Sequence, residues 1–292
     1  MIAVANAVRL PLADKAVDLV FGSPPYCDAR TYGIGFKMNC EQWVTWMLDV
    51  TTEALRVCRG PVIWVAAGVT RDRCYWPACE GLMWEWWRTG RHLYRPCIFY
   101  RYGVPGSGGD DWFRNDYEYI MCFKHVGKLT WSNNTAHGHP PRWAPGGAMS
   151  YRLADGSRVN QWGGHRKVTE RQRDGSLKTC PVKPSHRYGE GPPALANPGN
   201  VFKVEVGGGH LGSPIAHENE APFPEKLAER FVLSCCPPGG IVCDPFSGSG
   251  TTKAVAQQHG RRCVAFDIRL SQCQLTRRRT AETQLSFAAL EE

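Results

Sequence analysis

Two stretches of this chain carry residue types suited to chemistry on a planar, nitrogen-rich ligand. The first is Ser23-Pro24-Pro25-Tyr26, which follows the apolar run Val17-Asp18-Leu19-Val20-Phe21 and so stands where a buried strand gives way to a loop. Consecutive prolines fix φ twice and remove two N–H donors, which leaves the carbonyls of Ser23 and Pro24 on a stiff backbone with few inward partners. With the Ser23 hydroxyl and the Tyr26 ring beside them, these acceptors suit an exocyclic amino group: oxygens for its hydrogens and an aromatic face for the ring that bears it. A Pro-Pro dipeptide on its own more commonly just ends a strand. The second stretch runs from Ile241 to Thr252, where the apolar Ile241-Val242-Cys243 meets the turn Asp244-Pro245-Phe246-Ser247-Gly248-Ser249-Gly250 and a small-and-apolar segment continues to Gly260. Strand, tight loop and helix follow one another there, and Cys263-Val264-Ala265-Phe266-Asp267 adds a strand ending in a carboxylate about 20 residues past the glycines, where doubly wound folds hold a ribose. The loop lacks the third glycine of a dinucleotide fingerprint and the Gly-Lys-Ser/Thr of a phosphate cradle, so a nucleoside suits it better than a pyrophosphate.

Taken together, the two stretches resemble motif IV (Ser-Pro-Pro-Tyr) and motif I (Asp-Pro-Phe-Ser-Gly-Ser-Gly-Thr-Thr) of the S-adenosylmethionine-dependent DNA amino-methyltransferases. Because the catalytic motif precedes the cofactor motif, the chain is similar to the permuted β group, over nearly its whole length. The resemblance implies an α/β fold: a Rossmann-like, mostly parallel sheet with an antiparallel edge strand, the class I methyltransferase fold in circularly permuted form, interrupted by an irregular recognition region. It implies S-adenosyl-L-methionine as cofactor, double-stranded DNA as partner, and a homodimer or a cognate restriction endonuclease as further partners compatible with the family. Ser23, Pro24, Pro25 and Tyr26 become the catalytic residues. Asp244, Pro245, Phe246, Gly248, Ser249, Gly250, Thr251 and Asp267 become cofactor-binding residues. Asn6 stands where family members carry an acidic contact to the cofactor's adenine. The stretch from His217 to Leu227 is similar to motif X, which makes His217 a cofactor contact and sets Phe223 against the methionine part, although Glu218-Asn219 replaces the usual proline and alanine. Asn115 to Ile120 is similar to the motif at the family's seventh strand, and Glu118 within it reads as structural.

These residues need elements to position them. Trp43, Trp46, Met47, Val50, Ala54, Val57 and Cys58 fall at helical spacing, with Asn39 and Gln42 as a capping pair and Gly60-Pro61 closing the segment; its tryptophans read as packing. Val62 to Ala67 is a buried strand, so strand, crossover helix and strand imply a right-handed parallel unit. Glu80 to Trp87 reads as helix, and Cys97 to Tyr102 and Tyr117 to Phe123 as two strands pairing antiparallel at the sheet edge. The glycine-rich stretch from Cys27 to Gly35 has the composition of a loop that can close over an extruded base. A last helix, Leu270 to Phe287, carries Arg277, Arg278 and Arg279, read as solvating an exposed face.

From about Gly127 to Gly199 the periodicity collapses into Gly, Pro, Ser, Asn, Arg and isolated aromatics. Three segments follow: 1–126 as the catalytic half, 127–199 as a target-recognition region and 200–292 as the cofactor-binding half. The net charge is +8, and Pro140 to Arg187 alone holds ten Lys/Arg against three Asp/Glu, a local excess of +7. A polyanionic partner is the natural complement, with Arg30, Arg142, Arg158, Arg166, Lys167, Arg171 and Arg173 as DNA contacts. Thirteen cysteines without a Cys-x-x-Cys pair or a secretory leader point to reduced thiols in a cytoplasm and to no metal site. No apolar run approaches the ~20 residues of a membrane span. The acceptor stays open between N4 of cytosine, which a serine in the first motif position favours, and N6 of adenine. A cytosine-C5 mechanism needs a Pro-Cys nucleophile after the cofactor motif, whereas Pro96-Cys97 precedes it and enters a strand. A DNA-binding protein on a retired methyltransferase fold, and methylation of RNA or protein amides, are the readings from other classes.

Overall fold

The computed structural model describes residues 1–28, 32, 35–103, 111–140, 195–206, 209 and 211–288, and the strands at 149–152, 158–161, 167–171 and 177–181; in those strands and beyond 281 only the backbone is described. The chain divides into a unit of Met1–Ala136 with Gly199–Glu292 and a unit of His137–Pro198.

The first unit is built on one sheet. Besides the two-residue strand His92–Leu93, which pairs with Lys124 and Phe123, its strands are β1 (Ile2–Val4), β2 (Leu19–Gly22), β3 (Val62–Ala66), β4 (Cys97–Tyr102), β5 (Tyr117–Lys124), β6 (Val201–Glu205), β7 (Ile241–Asp244) and β8 (Arg262–Asp267), in the spatial order β1-β8-β7-β2-β3-β5-β4-β6. β2 pairs in parallel with β7 through Leu19 with Val242 and Val20 with Cys243, and with β3 through Val20 with Val62. A strand flanked on both sides and covered on both faces must be apolar throughout, and all four residues of β2 are buried. β4 and β5 pair antiparallel as expected. The sheet continues past them, because β6 adds to β4 in parallel and takes the edge. Val201–Glu205 had no sustained apolar face to announce it: one of its five residues is buried.

Helices α1 (Cys40–Val57) and α2 (Ala78–Arg88) cover one face, whose core includes Trp43, Met47, Leu82 and Trp86. Helices α3 (Glu225–Cys235) and α4 (Thr251–Gln258) supply Leu227, Phe231, Val232 and Val255 to the other. The start of α1 is the capping box read from the sequence: Gln42 N–H donates to Asn39 Oδ1 at 2.9 Å and Asn39 N–H to Gln42 Oε1 at 3.0 Å.

Helix α5 (Leu270–Ala288) departs from its reading as a solvated face. Arg279 is 1% exposed. Its guanidinium reaches Ser249 Oγ at 3.2 Å, Thr251 Oγ1 at 2.9 Å, the Leu211 carbonyl at 3.2 Å and Glu225 Oε1 at 2.6 Å. Gln272, Thr276, Arg279 and Thr280 recur at helical spacing and are buried beside Cys273 and Leu275, so the inward stripe of this helix is mostly polar and gives only a weak apolar periodicity. Arg278 does meet an exposed partner, Glu218, at 2.8 Å, and Arg277 donates to the Ile2 carbonyl at 3.1 Å.

In the second unit, Met149–Arg152 pairs antiparallel with Arg158–Gln161, and Lys167–Arg171 with Leu177–Pro181. Near its two ends His139 and Ala196 bridge through hydrogen bonds in both directions, 3.3 and 2.9 Å long. Strands of four or five residues such as Arg-Val-Asn-Gln carry no apolar alternation, which is why the segment reads as irregular.

Replacing Arg279 by Met strips the half-buried Glu225 carboxylate and two buried hydroxyls of their donor, so Arg279→Met is expected to lower unfolding free energy by about 2 kcal/mol in urea titrations; a loss within experimental error contradicts that role.

Candidate active site

The loops leaving β1, β2, β7 and β8 at their carboxyl ends converge on a cavity of about 260 Å³. Ser23, Pro24 and Pro25 form one wall. Pro245, Phe246, Gly248, Ser249 and Thr251 form another, with Asp267 and Arg269 from the end of β8, Asn6 from the end of β1, and Asn219 to Phe223 closing the third side. The two motifs, separated by more than 200 residues of chain, meet because β2 and β7 are neighbours.

Gly22 permits their approach. A Cβ at this position would lie 2.7 Å from Asp244 Oδ1, so any other residue would push the acidic loop away. Asp244 is 1% exposed and accepts a hydrogen bond from Phe246 N–H at 3.0 Å, which folds the loop over it; burial pushes its carboxyl up to about 7. It supports the cavity from behind and does not line it. Asp267 does line it: Oδ2 accepts from Gly248 N–H at 3.1 Å and Oδ1 from Arg269 N–H at 3.0 Å, while burial raises its carboxyl above the usual range. Gly250, at φ 83°, starts α4 with its backbone turned against Thr276, where a Cβ would come within 2.8 Å, and it too lies behind the wall.

Ser23 and its neighbours are held from four directions. The Ser23 hydroxyl donates to the Val65 carbonyl at 3.0 Å, which commits its hydrogen and leaves its lone pairs to accept. Trp43 Nε1–H donates to the Pro25 carbonyl at 2.7 Å, and Tyr26 N–H donates to Tyr32 Oη at 3.0 Å. The Tyr26 phenol donates to Glu118 Oε2 at 2.7 Å, and Glu118 is in turn 3.3 Å from Arg101 Nη1. Burial, and next the Glu118 charge, hold the Tyr26 hydroxyl well above its ordinary range, so it stays a neutral donor. Its ring is half-buried against the core and is not part of the cavity wall.

The structure does not bring His217 together with these residues. His217 is exposed and outside the cavity, because the 3-10 turn Pro214–Glu218 buries Ile215 and Ala216 and turns the imidazole outward. Asn219 lines the cavity in its place, its amide 3.0 Å from where a Gly248 Cβ would stand. Phe223 lines it as expected, edge-on to Phe21 at 5.7 Å. Several lining residues were not singled out by sequence reasoning. Trp46, read as packing, reaches the cavity between Phe36 and Phe246, with ring centroids 5.4 and 5.8 Å away. It sits three residues after buried Trp43 on the flank of α1, and that offset was the only signal for it. Tyr32, Phe36 and Met38 complete the rim, and Glu118, read as structural, proves to be the partner of Tyr26. Arg158, Lys167 and Arg171 lie in the hairpin strands of the second unit; Arg30, Arg142, Arg166 and Arg173 lie outside the described residues. Among the described residues no cluster of His, Cys, Asp and Glu is arranged to hold a metal ion, and no helix is long and apolar enough to cross a membrane.

Residues 17–278 match the DNA methylase family of N6 and N4 amino-methyltransferases. The chain belongs to that family. One relative is the orphan methyltransferase M.BamHII of Bacillus amyloliquefaciens, 27% identical over 283 residues that cover 92% of this chain and 90% of that one. Among solved structures, the PvuII cytosine-N4-specific DNA methyltransferase superposes with a TM-score of 0.63 at 15% identity, over 94% of this chain and 84% of its own. A putative DNA modification methylase from Thermus thermophilus, solved with S-adenosyl-L-methionine, gives 0.58 at 20% identity over 97% and 93%. At such identities the superpositions establish the fold: this DNA methylase has the class I methyltransferase architecture.

Asp244 gives a pH signature. Its carboxyl titrates near 7 in the folded chain and near 4 when unfolded, so the folded state keeps the proton longer and this group's contribution to stability falls as pH rises between those values. The melting temperature of Asp244→Asn, relative to wild type, should therefore climb from pH ~4 to ~7 and level off above; a difference that does not change with pH contradicts the assignment.

Proposed function

We propose that this DNA methylase transfers a methyl group from S-adenosyl-L-methionine to an exocyclic amino group of a base in double-stranded DNA, with N4 of cytosine as the acceptor. The observation that carries the reading is the convergence of Ser23, Pro24 and Pro25 with the Gly248 loop and Asp267 around one cavity.

The lining suits the cofactor. Asp267 offers carboxylate oxygens to ribose hydroxyls, Asn6 and Asn219 offer amides to a purine edge or an amino acid head, and Phe223 and Phe246 offer apolar surface. Bound there, S-adenosyl-L-methionine supplies an electrophilic methyl group on a sulfonium. The chain's own work is on the acceptor. An exocyclic nitrogen is a weak nucleophile because its lone pair is delocalised into the ring. The Ser23 oxygen, with its hydrogen already given to Val65, and the Pro24 carbonyl accept hydrogen bonds from that amino group and draw the nitrogen toward a pyramidal form in which the pair is localised. Holding donor and acceptor on one wall supplies orientation, and the nitrogen that gains the methyl group gives up a proton to water. The base must leave its stack first, at a cost of a few kcal/mol, which contact with Tyr26 and the aromatic rim offsets in part.

Serine in the first motif position supports cytosine, as does the fold's likeness to a cytosine-N4-specific enzyme. Adenine N6 is the second reading, since the family includes both chemistries. The basic hairpins of the second unit, with Arg158, Lys167 and Arg171, are the proposed DNA contacts.

Mass spectrometry of nucleosides from DNA of cells expressing the chain should show N4-methylcytosine; N6-methyladenine would replace the acceptor, and unmodified DNA would sink the reading. Ser23→Ala should slow methyl transfer about 100-fold with cofactor affinity kept. In calorimetry Asp267→Ala should weaken S-adenosyl-L-methionine binding about tenfold or more and leave DNA binding intact; unchanged cofactor affinity would remove Asp267 from the ribose.

A further inference from the structure

A second cavity, of about 970 Å³, opens on the same edge of the sheet, one strand along from Ser23. Ser23 bonds to the Val65 carbonyl of β3, and Ala67 and Gly68, two and three residues further, line this cavity. Tyr117 and Tyr119, which also line it, flank Glu118, the carboxylate that holds the Tyr26 phenol. The two cavities are thus separated by little more than the Ser23–Tyr26 motif and its partners.

Trp112 and Phe113 stand on its wall, 76% and 84% exposed, with ring centroids 5.4 Å apart. Two adjacent rings left in water are costly surface for a folded chain, and such surface marks a partner. Its surroundings indicate which one. Arg73 and Arg114 share the wall, with Asp111 3.5 Å from the first guanidinium and Asp116 3.9 Å from the second. Each guanidinium is balanced by a carboxylate, so the rings carry the reading: exposed aromatic faces beside the Ser23 loop of a DNA methylase match a nucleic acid, whose bases stack.

We propose that Trp112 and Phe113 form a wedge that enters the double helix beside the target base as that base leaves its stack. The inference rests on the reading of function above. A ring placed in the vacated gap replaces the stacking that the neighbouring base pairs lose, and the cavity behind it gives the displaced strand room. The side chains therefore act on extrusion and not on the methyl transfer that follows.

That division is testable with two duplexes bearing the sequence found modified in expressing cells, one fully paired and one with an abasic site opposite the target base. On the paired duplex the double variant Trp112→Ala/Phe113→Ala should transfer methyl groups about tenfold more slowly than wild type, and on the abasic duplex within about twofold of it. Trp112→Tyr with Phe113 retained should recover most of the rate. Circular dichroism and melting should match wild type, since neither ring is buried. Equal rates for variant and wild type on the paired duplex, or an equal slowing on both duplexes, overturns the wedge while leaving the function standing. Wild type that methylates neither duplex overturns the function and the wedge with it.

Discussion

The parallel pairing of β2 with β7 is the constraint from which the rest follows. It joins residues near the start of the chain to residues near its end, and it sets their outgoing loops side by side at one edge of the sheet. The close fit at Gly22 against the Asp244 carboxylate leaves no room for a side chain, so the spacing of the two loops is fixed by the backbone itself. The energetic consequence is visible in Asp244, whose burial pushes its carboxyl up to about 7, well above the usual carboxylate range.

Rigidity at Ser23 to Tyr26 has two sources. Proline removes backbone freedom, and a hydrogen bond from Trp43 to the Pro25 carbonyl and others that Ser23 and Tyr26 donate to Tyr32, Val65 and Glu118 take up the polar groups of the motif. The four partners come from α1, a loop, β3 and β5, so the motif is gripped by elements that the sheet and helix packing have already placed. Preorganisation of this kind fixes the Ser23 oxygen at the cavity wall with its hydrogen already given to Val65.

Much of this was legible in the sequence. Strong apolar runs such as Leu19-Val20-Phe21 and Ile241-Val242-Cys243 announced central strands, the Asn39/Gln42 pair announced the start of α1, and glycine spacing announced the turn after β7. Where the apolar signal was weak, reading failed. Edge strand β6 and the hairpins of the second unit lack alternation, and the inward face of α5 is mostly polar, so Arg279 looked solvated when it was buried. The site shows the same division. Within the two motifs, type and spacing singled out Ser23, Pro24, Pro25, Pro245, Phe246, Gly248, Ser249 and Thr251, which line the cavity, and also Tyr26, Asp244 and Gly250, which do not; Trp46, Tyr32, Asn219 and Glu118 join the site through tertiary contacts that no local pattern encodes. His217 stands outside the cavity wall for a related reason, because a single 3-10 turn buries Ile215 and Ala216 and leaves its ring exposed.

The bridge between His139 and Ala196 has a consequence for the segment it closes. It draws the two ends of a 62-residue excursion, His137–Pro198, into contact, so the segment departs and returns through one narrow stem. Closing a longer or shorter excursion on that stem changes the chain entropy only slowly with length. A segment of another length could therefore close on the same stem at little cost in chain entropy, with the pairing of the sheet strands left as it is.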